Sequence, residues 1–251
     1  MVAEEARSKE TDYELVNSIS VAAFDVDARI FRTLWHSLVR APEVALAAIE
    51  GDYTRYISPI RVMVALFGIQ FGVAAIFGAP MSVTIESIAA GMDPERLAGW
   101  LDGQDPVSID RAIEDTMSLV LWPIMIVSSL PYLILLKLYR PSLKFWAHLC
   151  VFLVPTNAST IAFILMLPAV MTSESMMLMA LIVMLAVYFA VTGWLLARYY
   201  SRSILGTSLR IAGFVLLLPL TFIISGGGQM LATGWILDSQ FGLSLPDLLQ
   251  S

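Results

Sequence analysis

RIFRTLWHSLVRAPEVALAAIEGDYTRYISPIR, residues 29–61, brings a polar N-terminal segment to the edge of a long apolar run and turns it inward. Within it, Ile30, Phe31, Leu34, Trp35 and Leu38 fall on one side of a 3.6-residue helix. Arg29, Arg32, His36 and Arg40 recur at spacings of three and four on the other side. A helix with an aromatic face and an arginine face suits a membrane interface, with rings at the headgroup boundary and guanidiniums on lipid phosphates. The same pattern also fits an amphipathic helix packed on the protein's own core.

Ala41-Pro42 breaks this helix, and Pro42 suits the first turn of a second one ending at Gly51. A linker then leads to Ser58-Pro59, a cap and first position for the next helix. Tyr53, Arg55, Tyr56 and Arg61 sit where interfacial aromatics and positive charges belong.

The composition sets the class. Of 251 residues, 58% are apolar and 14% charged, and the mean hydropathy is +0.77. A soluble domain would carry about 25% charged residues. The chain reads as all-α, a polytopic integral membrane protein with about five transmembrane helices and an N-terminal amphipathic interfacial helix. Its single cysteine, Cys150, excludes an internal disulfide and a cysteine-based zinc site. No basic domain points to nucleic acid. No cleavable signal peptide is expected, because the residues before Pro59 are polar.

Five spans are expected: Pro59–Ala79, Met117–Leu136, Trp146–Val170, Met176–Ala197 and Ile211–Ile224, the last closed by Gly226-Gly227-Gly228. Pro123 and Pro131 should kink the second, and residues 155–160 (PTNAST) should interrupt the third. The domain reading is a polar segment 1–28, a cytoplasmic elbow 29–58, a membrane domain 59–225 with an acidic external loop 80–116, and an external amphipathic tail 226–251. In the acidic loop, Asp93-Pro94 and Ser108 are read as helix starts. The tail, with Trp235, Phe241, Leu243, Leu245 and Leu248, is expected along the surface.

Charge placement orients the chain. With the N-terminus inside, thirteen of the fifteen Lys/Arg are cytoplasmic: seven up to the first span, three after the second and three after the fourth. The positive-inside rule favours that orientation, which puts the C-terminus outside. The expected location is the bacterial inner membrane.

The phrase FRTLWHSLVRAPEVALAAIEGDYTRYISPIR resembles the segment leading into the first span in a bacterial family of polytopic membrane proteins of unknown function. There a "TLW–L–RP" helix precedes a "G–RY–P" turn. The matching residues are Thr33, Leu34, Trp35, Pro42, Gly51, Arg55, Tyr56 and Pro59. The resemblance covers about residues 30 to 75. Many members begin with a cysteine-rich zinc ribbon, which this chain lacks. Five spans with the N-terminus inside are also similar to YIP-type (Rab-interacting) membrane proteins. The resemblance implies no enzymatic activity and points to a membrane-organising or lipid-handling role.

Chemistry is sparse. No ionisable residue lies deep within an expected span, which counts against proton-coupled transport. Arg29, Arg32, Arg40, Arg55 and Arg61 are the candidate lipid-headgroup residues; with Lys137, Arg140, Lys144, Arg198, Arg202 and Arg210 they could converge on an anionic headgroup, although topology alone explains most of this basic set. Pro155, Thr156, Asn157 and Thr160 form a candidate intramembrane polar kink, either lining a cavity or bonding to neighbouring helices. His148 and Ser159 stand eleven residues apart on one helix, about 16 Å along its axis, too far for nucleophile and base. His148 is read as interfacial. Asp102 and Asp105 could meet a divalent cation, but the acidic loop lacks the EF-hand pattern and reads as a solvated surface. Met176, Met177, Met179 and Met184 read as packing residues.

No catalytic residue, metal or cofactor is assigned. The expected function is a non-enzymatic scaffold or subunit of a membrane complex. The alternatives are a lipid-binding or lipid-translocating protein and, third, an enzyme acting on lipid headgroups through the acidic loop. The expected partners are membrane lipids and another membrane protein or a second copy of the chain.

Overall fold

The apolar runs fold as helices because a helix satisfies its own backbone where no water can. The computed structural model describes residues 28–77, 84–89, 93–170, 174–201 and 203–245. The polar segment before residue 28, Arg202 and Leu248 lie outside them. Among the described residues there are no strands. The helices are α1 Arg29–Val39, α2 Ala41–Glu50, α3 Pro59–Phe77, α4 Ile85–Ile88, α5 Pro94–Leu101, α6 Pro106–Tyr139, α7 Phe145–Val170, α8 Glu174–Tyr199 and α9 Ile204–Phe241.

Among the described residues four helices are long and apolar enough to cross a membrane: α6, α7, α8 and α9. A shorter apolar stretch, Pro59–Val73, lies within α3. The protein is an all-α, multi-pass membrane protein. Its residues divide into two compact units, one within Met1–Gln70 and Tyr139–Ile211, the other within Phe71–Leu138 and Ala212–Ser251.

In the first unit α7 and α8 form the main helix pair, and α1 and α2 pack on it. Ala41, Val44, Ala45 and Ala48 are buried. Such small side chains let α2 approach closely. Tyr199 Oη donates to the Pro42 carbonyl at 2.6 Å, tying α8 to α2. Ile57, Val62 and Leu66 are buried together, with Ile30, Leu34, Ile161 and Ile164 packed around them. The elbow is therefore docked on the helices along one side, not lying wholly free on a lipid surface.

α7 runs unbroken through Pro155, where an interruption was expected. Thr156 and Thr160 hydroxyls bond carbonyls four residues back, at 2.9 Å each. Asn157 is buried and donates Nδ2–H to the Pro59 carbonyl at 2.9 Å. The reading of His148 as interfacial is also corrected. It is fully buried, with Nδ1 2.7 Å from Tyr200 Oη.

The second unit revises the acidic loop and the tail. α6 has 34 residues and α9 has 38. At 1.5 Å per residue both exceed a hydrocarbon core of roughly 30 Å by about 20 Å or more. α9 passes through Gly226-Gly227-Gly228, expected to end it, and closes at Gly242, whose φ is +68°. Glycine lowers helix propensity, but in a membrane-facing helix a break would strand backbone groups without water. Gly242, in the left-handed region, lets the Leu243 N–H return to the Leu237 carbonyl at 3.0 Å.

The first turns of α6 and the last of α9 meet α4 and α5 in a small cap. Its core holds Ile85, Leu101, Ile109, Ile113, Met117, Ile236, Leu237, Leu243 and Leu245. Leu243 and Leu245 are thus buried in protein and do not lie along the membrane, although Trp235 is exposed. Thr84 and Ser87 form a reciprocal capping box on α4. Asp93 caps α5, as its Asp-Pro sequence predicts. Asp105, not Ser108, caps α6, accepting the Val107 and Ser108 N–H groups at 3.3 and 3.2 Å. Asp110 accepts the Ile85 N–H at 2.7 Å, and Trp100 Nε1–H donates to the Ser244 carbonyl at 3.0 Å.

Candidate functional site

The polar groups that the sequence places at the elbow converge on one cluster. α1 supplies His36, the break after it Arg40, the first turn of α2 Glu43, and the linker Arg55 and Tyr56. Gly51 makes the turn between α2 and the linker at φ +74°, a conformation glycine adopts freely. Two bonds fasten the linker to α1. Arg29 Nη1 donates to the Tyr53 carbonyl at 2.6 Å, and the Ile57 N–H donates to Thr33 Oγ1 at 3.1 Å.

His36 Nδ1 is 2.7 Å from Tyr56 Oη, and Tyr56 donates its proton to Glu43 Oε2 at 3.2 Å. A phenol has one proton, so His36 must donate from Nδ1. The chain of protons runs from α1 through the linker to α2. Glu43 also faces two guanidiniums: Arg40 Nη1 is 3.7 Å from Oε1 and Arg55 Nη1 3.8 Å from Oε2. The Arg55 guanidinium lies 5.4 Å from the Tyr56 ring centroid, within cation–π range. Burial, aided by Arg40, Arg55 and Arg32, holds the His36 pKa below its ordinary value against the opposing pull of Glu43. Burial and the bond to Glu43 raise the Tyr56 phenol.

Of the five arginines proposed for headgroups, the cluster unites Arg40 and Arg55. Arg29 is occupied in part by the linker backbone. Arg32 is half-buried, and Arg61 is exposed in the first turn of α3. The other basic residues do not all turn to one ligand. Arg140 donates to the Tyr199 carbonyl, and the Arg210 guanidinium lies 5.6 Å from the Tyr139 ring centroid.

The outer face of α1 differs from the sequence reading. Phe31, Trp35 and Val39, at successive fourth positions, are exposed by 67, 62 and 43%, while Thr33 and Ser37 are buried. Thr33 and Ser37 satisfy themselves by bonding carbonyls four residues back, at 2.6 and 2.7 Å. The expected apolar face is thus split. Ile30 and Leu34 turn to protein, and Phe31 and Trp35 turn outward.

In the PTNAST segment, Pro155 and Asn157 are buried, and Thr156 and Thr160 are half-buried and bonded within α7. Asn157 acts as an interhelical tie. A cavity of about 330 Å³ lies elsewhere, between the end of α8 and the start of α9, lined by Ala197, Ser201, Ser203, Ile204, Thr207 and Ser208. Its Ser201, Ser203 and Thr207 hydroxyls are engaged in closing the turn. Asp105 of the acidic segment serves as a helix cap. Among the described residues no three His, Cys, Asp or Glu are grouped to hold a metal.

Sequence reasoning missed Glu43 and the partnership of Tyr56 with His36. His36 and Glu43 stand seven positions apart. The Ala41-Pro42 break destroys the helical register that would have paired them. No family model matches the chain, and no curated protein or solved structure shows significant similarity to it. The resemblance of the elbow to the bacterial family rests on the quoted residues.

Proposed function

We propose that this is a lipid-engaging protein of the bacterial inner membrane, its N-terminus cytoplasmic and its C-terminus periplasmic. The exposed Phe31-Trp35-Val39 stripe carries this reading. It belongs to a helix that is already anchored to α7 on its other side, so the stripe is held outward in a fixed orientation. Arginines flank it, and the combination suits the boundary between acyl chains and headgroups. The charge asymmetry of the loops supports the orientation.

The test is quenching of Trp35 fluorescence by brominated lipids, read as the difference between wild type and Trp35→Phe in reconstituted vesicles. A Trp35 contribution quenched by shallow bromines fits the proposal. A contribution untouched at every bromine depth defeats it.

A scaffold role is the second reading, and the cap favours it. Glu86, Asp93, Glu95, Asp102, Asp105, Glu114 and Asp115 are all exposed on a folded extramembranous unit. Such a surface can receive a basic protein partner. Native mass spectrometry of gently extracted protein would reveal a second polypeptide at fixed stoichiometry. A bare monomer retaining only lipid would exclude that role.

A further inference from the structure

The elbow holds two arginines against one carboxylate, and the distances are those of a loose arrangement. A charge-assisted N–H···O bond is about 2.7–2.9 Å long. Arg40 and Arg55 stand 3.7 and 3.8 Å from Glu43, each facing a different oxygen. All three side chains are about half exposed, the arginines at 52% and the glutamate at 47%. Glu43 Oε2 is further committed to the Tyr56 proton. The trio therefore carries a net positive charge, accessible to solvent, on a backbone pinned by the Arg29–Tyr53 and Thr33–Ile57 bonds.

We propose that Glu43 is the resident counter-ion of a phosphodiester site formed by Arg40 and Arg55, and that a lipid headgroup phosphate displaces it. This rests on the lipid-engaging reading of the elbow. A phosphodiester carries one negative charge and two unesterified oxygens, one for each guanidinium. Its single charge equals that of the carboxylate it replaces, so the balance of the site is kept. Glutamate, leaving, reaches water without unfolding anything, because its side chain is already half exposed. The lipid source is favoured over free phosphate because Phe31 and Trp35 stand exposed on the adjoining helix, where the glycerol and upper acyl carbons of a lipid would lie.

The experiment uses the full chain in detergent. Short-chain phosphatidylglycerol, or short-chain diacylglycerol as a phosphate-free control, is titrated in and retention is read by native mass spectrometry. Glu43→Gln keeps an oxygen for the Tyr56 proton but removes the competing charge. It should raise phosphatidylglycerol retention about fivefold, the worth of one charge near an anionic headgroup. Arg40→Gln and Arg55→Gln should each lower it by a similar factor, with retention of the phosphate-free diacylglycerol unchanged. Unaltered or weakened retention in Glu43→Gln overturns the proposal. So does displacement of the lipid by inorganic phosphate in the same concentration range. Trp35 quenching in the same variants separates the two ideas. If quenching persists while Glu43→Gln has no effect, the counter-ion role falls and the interfacial elbow stands. If quenching is absent in the wild type, both fall.

Discussion

Asn157 donates its side-chain amide to the carbonyl of Pro59 across 98 residues of sequence, at 2.9 Å and out of contact with solvent. This bond joins the middle of α7 to the first residue of α3, where the elbow hands the chain to the membrane. Asn157→Ala should destabilise the protein by about 1–3 kcal/mol, from the lost bond and the space left. Asn157→Asp should be worse, because it sets a carboxylate oxygen against a carbonyl in a buried place. Thermal unfolding in detergent orders the variants. Asp above Ala in stability would contradict the assignment.

The three consecutive glycines of α9 make a controlled comparison. A Cβ on Gly228 would meet the Ile124 side chain at 3.1–3.4 Å, whereas one on Gly226 or Gly227 meets nothing within 4 Å. Gly226→Ala and Gly227→Ala should be neutral or stabilising by up to about 1 kcal/mol, through helix propensity. Gly228→Val should cost about 1–3 kcal/mol by overpacking. Melting temperatures of the three variants, measured in one detergent, decide it. Equal effects at all three positions would refute the close approach.

Tyr199 fastens α2 to α8 through the Pro42 carbonyl. Tyr199→Phe keeps the ring and removes the bond, a loss of about 1 kcal/mol. Hydrogen exchange should quicken across residues 41–50 by roughly fivefold, the equivalent of that energy. Protection in the middle of α7 should not change. Uniform loosening of both segments would mean that the hydroxyl acts on the whole unit.

Acid should loosen the elbow through His36. Folding lowers its pKa, so the folded state favours the uncharged ring. The contribution is complete above the unfolded value of about 6.5. It is lost as the pH falls below that and through the lower folded value. Amide protection in α1, corrected for intrinsic rates, should be greater above pH 6.5 than well below it. His36→Gln should flatten that dependence. A wild type and variant with the same profile would remove His36 as its cause.

Patterns of long apolar runs made the membrane helices legible, because lipid admits few alternatives to a helix. Local chemistry was legible too. Pro42, Gly51, Pro59 and Asp93 mark boundaries by fixed backbone preferences, and helices start or stop beside each of them. What stayed hidden depends on distant partners. Nothing near His148 announces Tyr200, and nothing near Trp100 announces Ser244. The glycines at 226–228 misled because their propensity was weighed as if in water. The α1 face misled because periodicity identifies an apolar side but not how it is shared between protein and lipid. The arginines of the candidate site could be read from the sequence as a set; the carboxylate among them could not.

The bond between Trp100 and Ser244 has a consequence for the order of events during synthesis. Ile109 and Ile113, on α6, share their core with Ile236, Leu237, Leu243 and Leu245, which the ribosome makes long after them. The acidic segment must therefore wait, its apolar side uncovered, until α9 has been made and its end has arrived. The cap can close only after α9 is complete. A chain stopped before residue 236 would carry bare isoleucines outside the bilayer, the kind of surface on which quality-control proteases and chaperones act.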